Sequence, residues 1–260
     1  ERIGVSYARS HYTLGGAFSA LDYTGTAETL SLHWQHNFKR SRDVNIYGTV
    51  RFDMKSLDDE AKSMSYRSPK SARNWVYGIN GDSLDRFWTG GKNTFALNYT
   101  RGDLSIDDAM QRAYDAGTAQ TAGHFGKWNL ELTRLQHISE RTSLYLSYQR
   151  QWAEKNLDSS EKMSLGGPHG VRAYPVGEAS GDDGWRWTSE LRYNVPTREG
   201  DENVWQLIAF ADGGHVRLYH SGLPGYTGKM GRSLYGAGVG VNWSNQENWV
   251  ARAHYAWKLG

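Results

Sequence analysis

The stretch Val44-Asn45-Ile46-Tyr47-Gly48-Thr49-Val50-Arg51-Phe52-Asp53-Met54 decides the fold. Its even positions are apolar apart from Gly48, and its odd positions are mostly polar. A strand sends alternate side chains to opposite faces, so this segment has one greasy face and one wet face. The pattern recurs along the chain. Leu144, Leu146, Tyr148 and Trp152 alternate with Ser143, Ser147, Gln149 and Gln151. Trp185, Trp187, Leu191, Tyr193 and Val195 alternate with Arg186, Thr188, Glu190, Arg192 and Asn194. Tyr235, Ala237, Val239, Val241 and Trp243 alternate with three glycines and Asn242.

About eleven such segments begin near residues 2, 28, 43, 73, 91, 124, 142, 184, 203, 232 and 248, most of them 10 to 14 residues long. Soluble strands usually run about 5 or 6 residues, whereas a tilted membrane strand needs about 9 to 11. The links alternate in length. Those over 14–27, 56–72, 104–122, 155–183 and 217–231 read as long, and those over 38–42, 86–90, 138–141, 196–202 and 244–247 as short. Short turns on the periplasmic side and long loops outside are the outer-membrane habit. Trp152, Trp185, Trp187, Trp243, Trp249 and Trp257 crowd the segment ends, where interfacial girdles belong. The fold expected is all-β, a transmembrane antiparallel barrel of the outer-membrane type. Bacterial single-chain barrels close with an even number of strands, so eleven suggests an incomplete set.

Composition agrees. The 260 residues include 11 Trp, 16 Tyr, 30 Gly and no Cys, and 30 Lys+Arg against 28 Asp+Glu leave a net charge of +2. With no basic block, nucleic-acid binding has no footprint, and without Cys there is no disulfide framework or thiol chemistry. Mean hydropathy is −0.71. That value suits a barrel, whose strands offer lipid only every second residue. Glu1 opens no charged-then-apolar leader, so any signal peptide is expected to have been removed.

The longest link is the most informative. It carries Leu165-Gly166-Gly167-Pro168-His169-Gly170-Val171-Arg172-Ala173-Tyr174-Pro175, then Gly181-Asp182-Asp183-Gly184 and the strand residues Ser189-Glu190-Leu191-Arg192. One strand later stands Phe210-Ala211-Asp212-Gly213-Gly214. The three motifs in this order resemble the TpsB transporters of two-partner secretion, in the Omp85 superfamily. That family carries a Val-Arg-Gly-Tyr/Phe tetrad at the tip of a long loop, a Gly-Asp-x-Gly step and a Phe-x-Asp-x-Gly strand motif. Here the tetrad is Val171, Arg172, Ala173 and Tyr174, with Ala173 in place of the commonest Gly. Tyr12-Thr13-Leu14-Gly15 and the Lys39-Arg40-Ser41-Arg42 turn look like further family features, so the resemblance covers essentially the whole chain.

The resemblance implies a sixteen-stranded barrel behind two periplasmic POTRA domains. Residues 1–260 would then be strands five to fifteen, with the POTRA domains, the first four strands and the last strand absent. It implies that 155–183 folds inward. Strand parity puts Glu190, Arg192, Phe210 and Asp212 on the wet face, so Arg172 of an inward loop can grip Asp212 or Glu190 with its planar guanidinium. Gly166, Gly167 and Gly170 would serve as the loop's hinge, and Gly213 and Gly214 would permit close approach of loop and wall.

The function implied is a monomeric outer-membrane pore, in contact with lipid and lipopolysaccharide. It would export an unfolded TpsA-type haemolysin, adhesin or toxin, using no cofactor or metal and no nucleic acid. Asn45, Thr49, Arg51, Asn98, Asn129, Glu131, Gln149 and Glu190 would hydrate the channel. The alternatives are a barrel-assembly insertase of the same superfamily and a general porin. An enzyme is disfavoured: no Gly-x-Ser-x-Gly elbow occurs, and His33 and His36 fall on opposite strand faces. Gly236, Gly238 and Gly240 lie inside a strand pattern with no helix following. They read as inward glycines that leave room in the lumen, not as a dinucleotide fingerprint.

Overall fold

The computed structural model describes residues 1–13, 23–61, 63, 66–197, 203–245 and 249–260. Its strands are β1 (Arg2–Thr13), β2 (Tyr23–Arg40), β3 (Val44–Ala61), β4 (Tyr66–Asp85), β5 (Gly91–Ile106), β6 (Gly123–His137) and β7 (Thr142–Ala153). After the short pair β8 (Met163–Ser164) and β9 (Ser180–Gly181) come β10 (Asp183–Asn194), β11 (Asn203–Arg217), β12 (Gly231–Asn245) and β13 (Trp249–Lys258). Among the described residues, eleven of these form one sheet in the order β1-β2-β3-β4-β5-β6-β7-β10-β11-β12-β13, and β8 pairs with β9. Each strand is antiparallel to its chain neighbour, so the sheet is an up-and-down meander of the barrel type. No described helix is long and apolar enough to cross a membrane; strands such as β4, at 20 residues, do the crossing.

Register turns sequence parity into two faces. Val50 lies opposite Trp34 and Tyr77, and Asp53 opposite Ser31 and Asn74. The even residues of β3 thus join an apolar belt, and the odd ones a polar wall. That wall is cross-linked: Ser31 donates to Asp53 at 2.6 Å, and Asn129 to Gln151 at 2.8 Å.

Two links differ from their expected lengths. The long loop expected over 56–72 is mostly strand, since β3 runs to Ala61 and β4 starts at Tyr66. Asp58, Asp59 and Glu60 put charge on both faces of β3, and Ser68, Lys70 and Ser71 put polar groups on both faces of β4, so alternation fades there while pairing continues. The loop expected over 14–27 shortens likewise, because β2 begins at Tyr23. Its residues 14–22, with Leu14 and Gly15 of the Tyr12-Thr13-Leu14-Gly15 motif, lie outside the described residues, as does the Tyr12 side chain. So do 198–202 and 246–248, within the two short turns expected over 196–202 and 244–247. The link over 104–122 contains a helix, α1 (Ala109–Gly117), capped by Asp108, which accepts from the Gln111 N–H at 2.8 Å.

Candidate functional site: the loop between β7 and β10

The stem of the loop leaves β7 and immediately packs inward. Leu157 is buried with Ala72, Leu104, Phe125 and Ala153 on the wet-face positions of β4, β5, β6 and β7. A 3-10 turn, Ser159–Glu161, follows, capped by Asp158. The loop then pairs with itself through β8 and β9. Its far end is a tight coil. Val171 N–H donates to Leu165 C=O at 2.6 Å, and Gly167 N–H to Tyr174 C=O at 2.9 Å. Gly167 sits at φ +100°, where a side chain would be strained, and a Cβ on Gly170 would fall 2.0 Å from the Leu165 carbonyl. Gly166 is as constrained, against the Pro175 carbonyl. These three glycines are the places where the coil's backbone crosses itself.

Leu165, Val171, Tyr174 and Ala179 form an apolar cluster with Val216 of β11 and Leu234 of β12. That cluster presses the coil on the wall and aims Arg172. Its Nε donates to Asp212 Oδ2 at 2.8 Å and its Nη2 to Asp212 Oδ1 at 2.8 Å, a two-pronged pair. Nη1 donates to Glu190 Oε1 at 2.6 Å, and the backbone N–H of Arg172 donates to Asp212 Oδ2 at 3.2 Å. The guanidinium carbon lies 3.4 Å from the Phe210 ring centroid. Glu190 Oε2 in turn accepts from Arg192 Nη2 at 2.5 Å. Two arginines therefore face two carboxylates, and the cluster is neutral in charge; its centre is nearly shut off from solvent, with the Arg172 side chain 8% exposed and that of Asp212 1%, while Arg192 lies at its wetter edge.

The wall glycines behave differently from one another. A Cβ on Gly214 would meet Leu165 of the loop at 2.7 Å, so this glycine does admit the loop. Gly213 does not. Parity turns it outward, where a Cβ would strike Trp187 and Tyr235. Nor do Gly236, Gly238 and Gly240 leave open lumen. Their space is taken by Ala173, by the Phe210 ring and by His254.

A second set of contacts holds the stem, and the sequence reading missed it. Glu161 accepts from Lys55 of β3 at 2.6 Å, from Lys127 of β6 at 2.8 Å and from Asn74 of β4 at 2.9 Å. Asp158 accepts from Lys70 of β4 at 2.7 Å. Lys162 pairs at 2.8 Å with Asp182, whose carboxyl burial pushes up. Burial works the same way on Glu161, yet Lys127 and Lys55 outweigh it and hold that carboxyl below the ordinary glutamate value. Gln151 ties both limbs, donating to the carbonyls of Glu161 at 3.1 Å and Asp182 at 2.9 Å. Asn156 links the stem to the neighbouring loops, donating to the carbonyls of Ala119 and Gly222 at 2.8 and 2.9 Å. No parity rule relates a loop carboxylate to lysines on three distant strands, so only the fold brings them together.

The fold and the site define a class, an outer-membrane β-barrel whose wet wall is covered by one of its own long loops. The family described as "Haemolysin secretion/activation protein ShlB/FhaC/HecB" matches residues 2–243, and the chain belongs to it. It is 26% identical over 259 residues to the "Heme/hemopexin transporter protein HuxB" of Haemophilus influenzae strain 86-028NP, covering 98% of this chain and 45% of that protein. It is also 26% identical over 268 residues to the "Outer membrane transporter CdiB" of Dickeya dadantii, covering 94% and 43%. The chain thus spans less than half the length of these relatives. Among solved structures, CdiB from Escherichia coli shares the fold with a TM-score of 0.79 at 19% identity, over 99% of this chain and 46% of that one.

Proposed function

We propose that this chain lines a secretion pore of the outer membrane, through which an unfolded partner polypeptide passes from periplasm to cell surface, and that the loop over 155–183 is its plug. The observation that carries the reading is the Arg172 cluster. A long loop spends its one buried guanidinium on two wall carboxylates, in a neutral and nearly dry patch. A loop that served only as surface decoration would leave that charge in water. Membership of a secretion/activation family supports the same reading, and so do relatives named as transporters.

In this reading Val171 and Tyr174 seat the coil, Ala173 fits over β12, and Gly166, Gly167 and Gly170 are its hinge. Glu190, Phe210, Asp212 and Gly214 form the wall that receives it. The work is passage and not catalysis: the pore needs no cofactor or metal and acts as a single barrel among lipid and lipopolysaccharide. The polar side chains of Asn98, Asn129, Glu131 and Gln149 keep the path wet. Its cargo is a large secreted protein of the TpsA type.

The test is Arg172→Ala in the full-length protein, with the cognate secreted protein assayed in the medium. Secretion should fall while heat-modifiable migration of the barrel stays normal. Arg172→Lys should recover only part, since an ammonium cannot make the two-pronged pair. Normal secretion from Arg172→Ala would remove the latch from the mechanism.

A further inference from the structure

The loop meets the wall through ion pairs at two separate places: Asp158 and Glu161 of the stem face Lys70, Lys55 and Lys127, and Arg172 of the tip faces Glu190 and Asp212. We infer that Lys55 and Lys127, with the side-chain amide of Asn74, form a carboxylate-binding site on the inner wall, which Glu161 of the loop fills while the stem is seated and which an acidic side chain of a passing polypeptide takes when the stem lifts. The inference rests on the pore reading above and deepens it.

Three donors from three separate strands converge on this one carboxylate. The lysines are themselves largely covered, their side chains 19% and 12% exposed. Glu161 is the anion that makes their proximity tolerable. Without it, two ammonium groups that now lie 2.6 and 2.8 Å from the oxygens of one carboxylate lose their shared counter-ion and repel each other. The stem can leave cheaply only if another anion or bulk water replaces it. A polar cavity of about 140 Å³, lined by Asn98, Asn129, Glu131 and Gln149, begins two residues along β6 from Lys127. One carboxylate therefore exchanges for another, and the plug competes with cargo for the same donors.

The test measures binding of a fluorescein-labelled hexaglutamate peptide to the full-length protein in detergent, by anisotropy, with labelled hexaglutamine as the control. Glu161→Gln vacates the charge while keeping the side chain's shape, and should bind hexaglutamate at least tenfold more tightly than the wild type. Adding Lys55→Gln and Lys127→Gln should abolish that gain, and hexaglutamine should bind to none of the variants. Glu161→Ala offers a second vacated background if heat-modifiable migration shows that the glutamine variant fails to assemble. Equal affinity of the wild type and both vacated variants overturns the site, as does tight binding that persists without the lysines. Because the readout is binding, it can fail while the secretion assay on Arg172→Ala succeeds, and the reverse.

Discussion

On β11 one strand shows two opposite surfaces. Its outward residues Trp205 and Leu207 are 45% and 50% exposed, while Ile208, Phe210 and Asp212 on the other side are 5% or less. In a soluble protein the greasy face would be the buried one. Here the apolar face is left for lipid, and the polar face is covered by the chain's own loop. The difference teaches that burial in this molecule follows charge pairing and loop packing on the inner wall. Hydrophobic collapse on the outer face has no part in it, because lipid already satisfies that face.

Four measurements can break or sharpen that contrast. The largest effect is all-or-none. Cys at Asp58 or Tyr226 should react with an impermeant maleimide on intact cells and Cys at Asn245 should not; equal labelling would overturn the sidedness of the loops. Next is Asp212→Ala, which leaves Arg172 and Arg192 facing one carboxylate. Breaking a buried pair costs about 3–5 kcal/mol, and the loop should become open to protease on a barrel that still migrates as folded. An outward arginine comes third. Val239→Arg should cost about 2–4 kcal/mol near the bilayer midplane in urea titrations of the vesicle-embedded barrel, while inward Thr49→Arg should cost far less. A similar response at both positions would mean the faces are misassigned. The smallest effect is Arg67→Ala, which removes an ion pair with Asp58 beyond the belt. Both groups are solvated, so the loss should be small in the same titration and shrink further in high salt.

How much of this was readable beforehand follows from where water lies. Alternation exposes β3 through Val44–Met54 because one face meets lipid and the other does not. The same strand runs unseen to Ala61, since Asp58, Asp59 and Glu60 stand where both faces are wet. Period-two parity sufficed to put Glu190 and Asp212 on one wall, and a recognised tetrad pointed Arg172 at them. Parity also contained the outward aim of Gly213, but the motif distracted from it. The lysines around Glu161 carried no local signal. Lys55 and Glu161 are 106 residues apart, and an isolated loop glutamate looks like any solvated one.

The meeting of Ala173 with β12 has a consequence for how this chain can vary. A methyl added to Gly236 would come within 2.8 Å of the methyl of Ala173, so the two positions share room for one carbon. If the loop carries it, the strand cannot; a loop with glycine there frees the strand to hold alanine. The two positions should therefore be tied in one direction: Gly236→Ala needs Ala173→Gly beside it, whereas Ala173→Gly alone only leaves a methyl-sized gap.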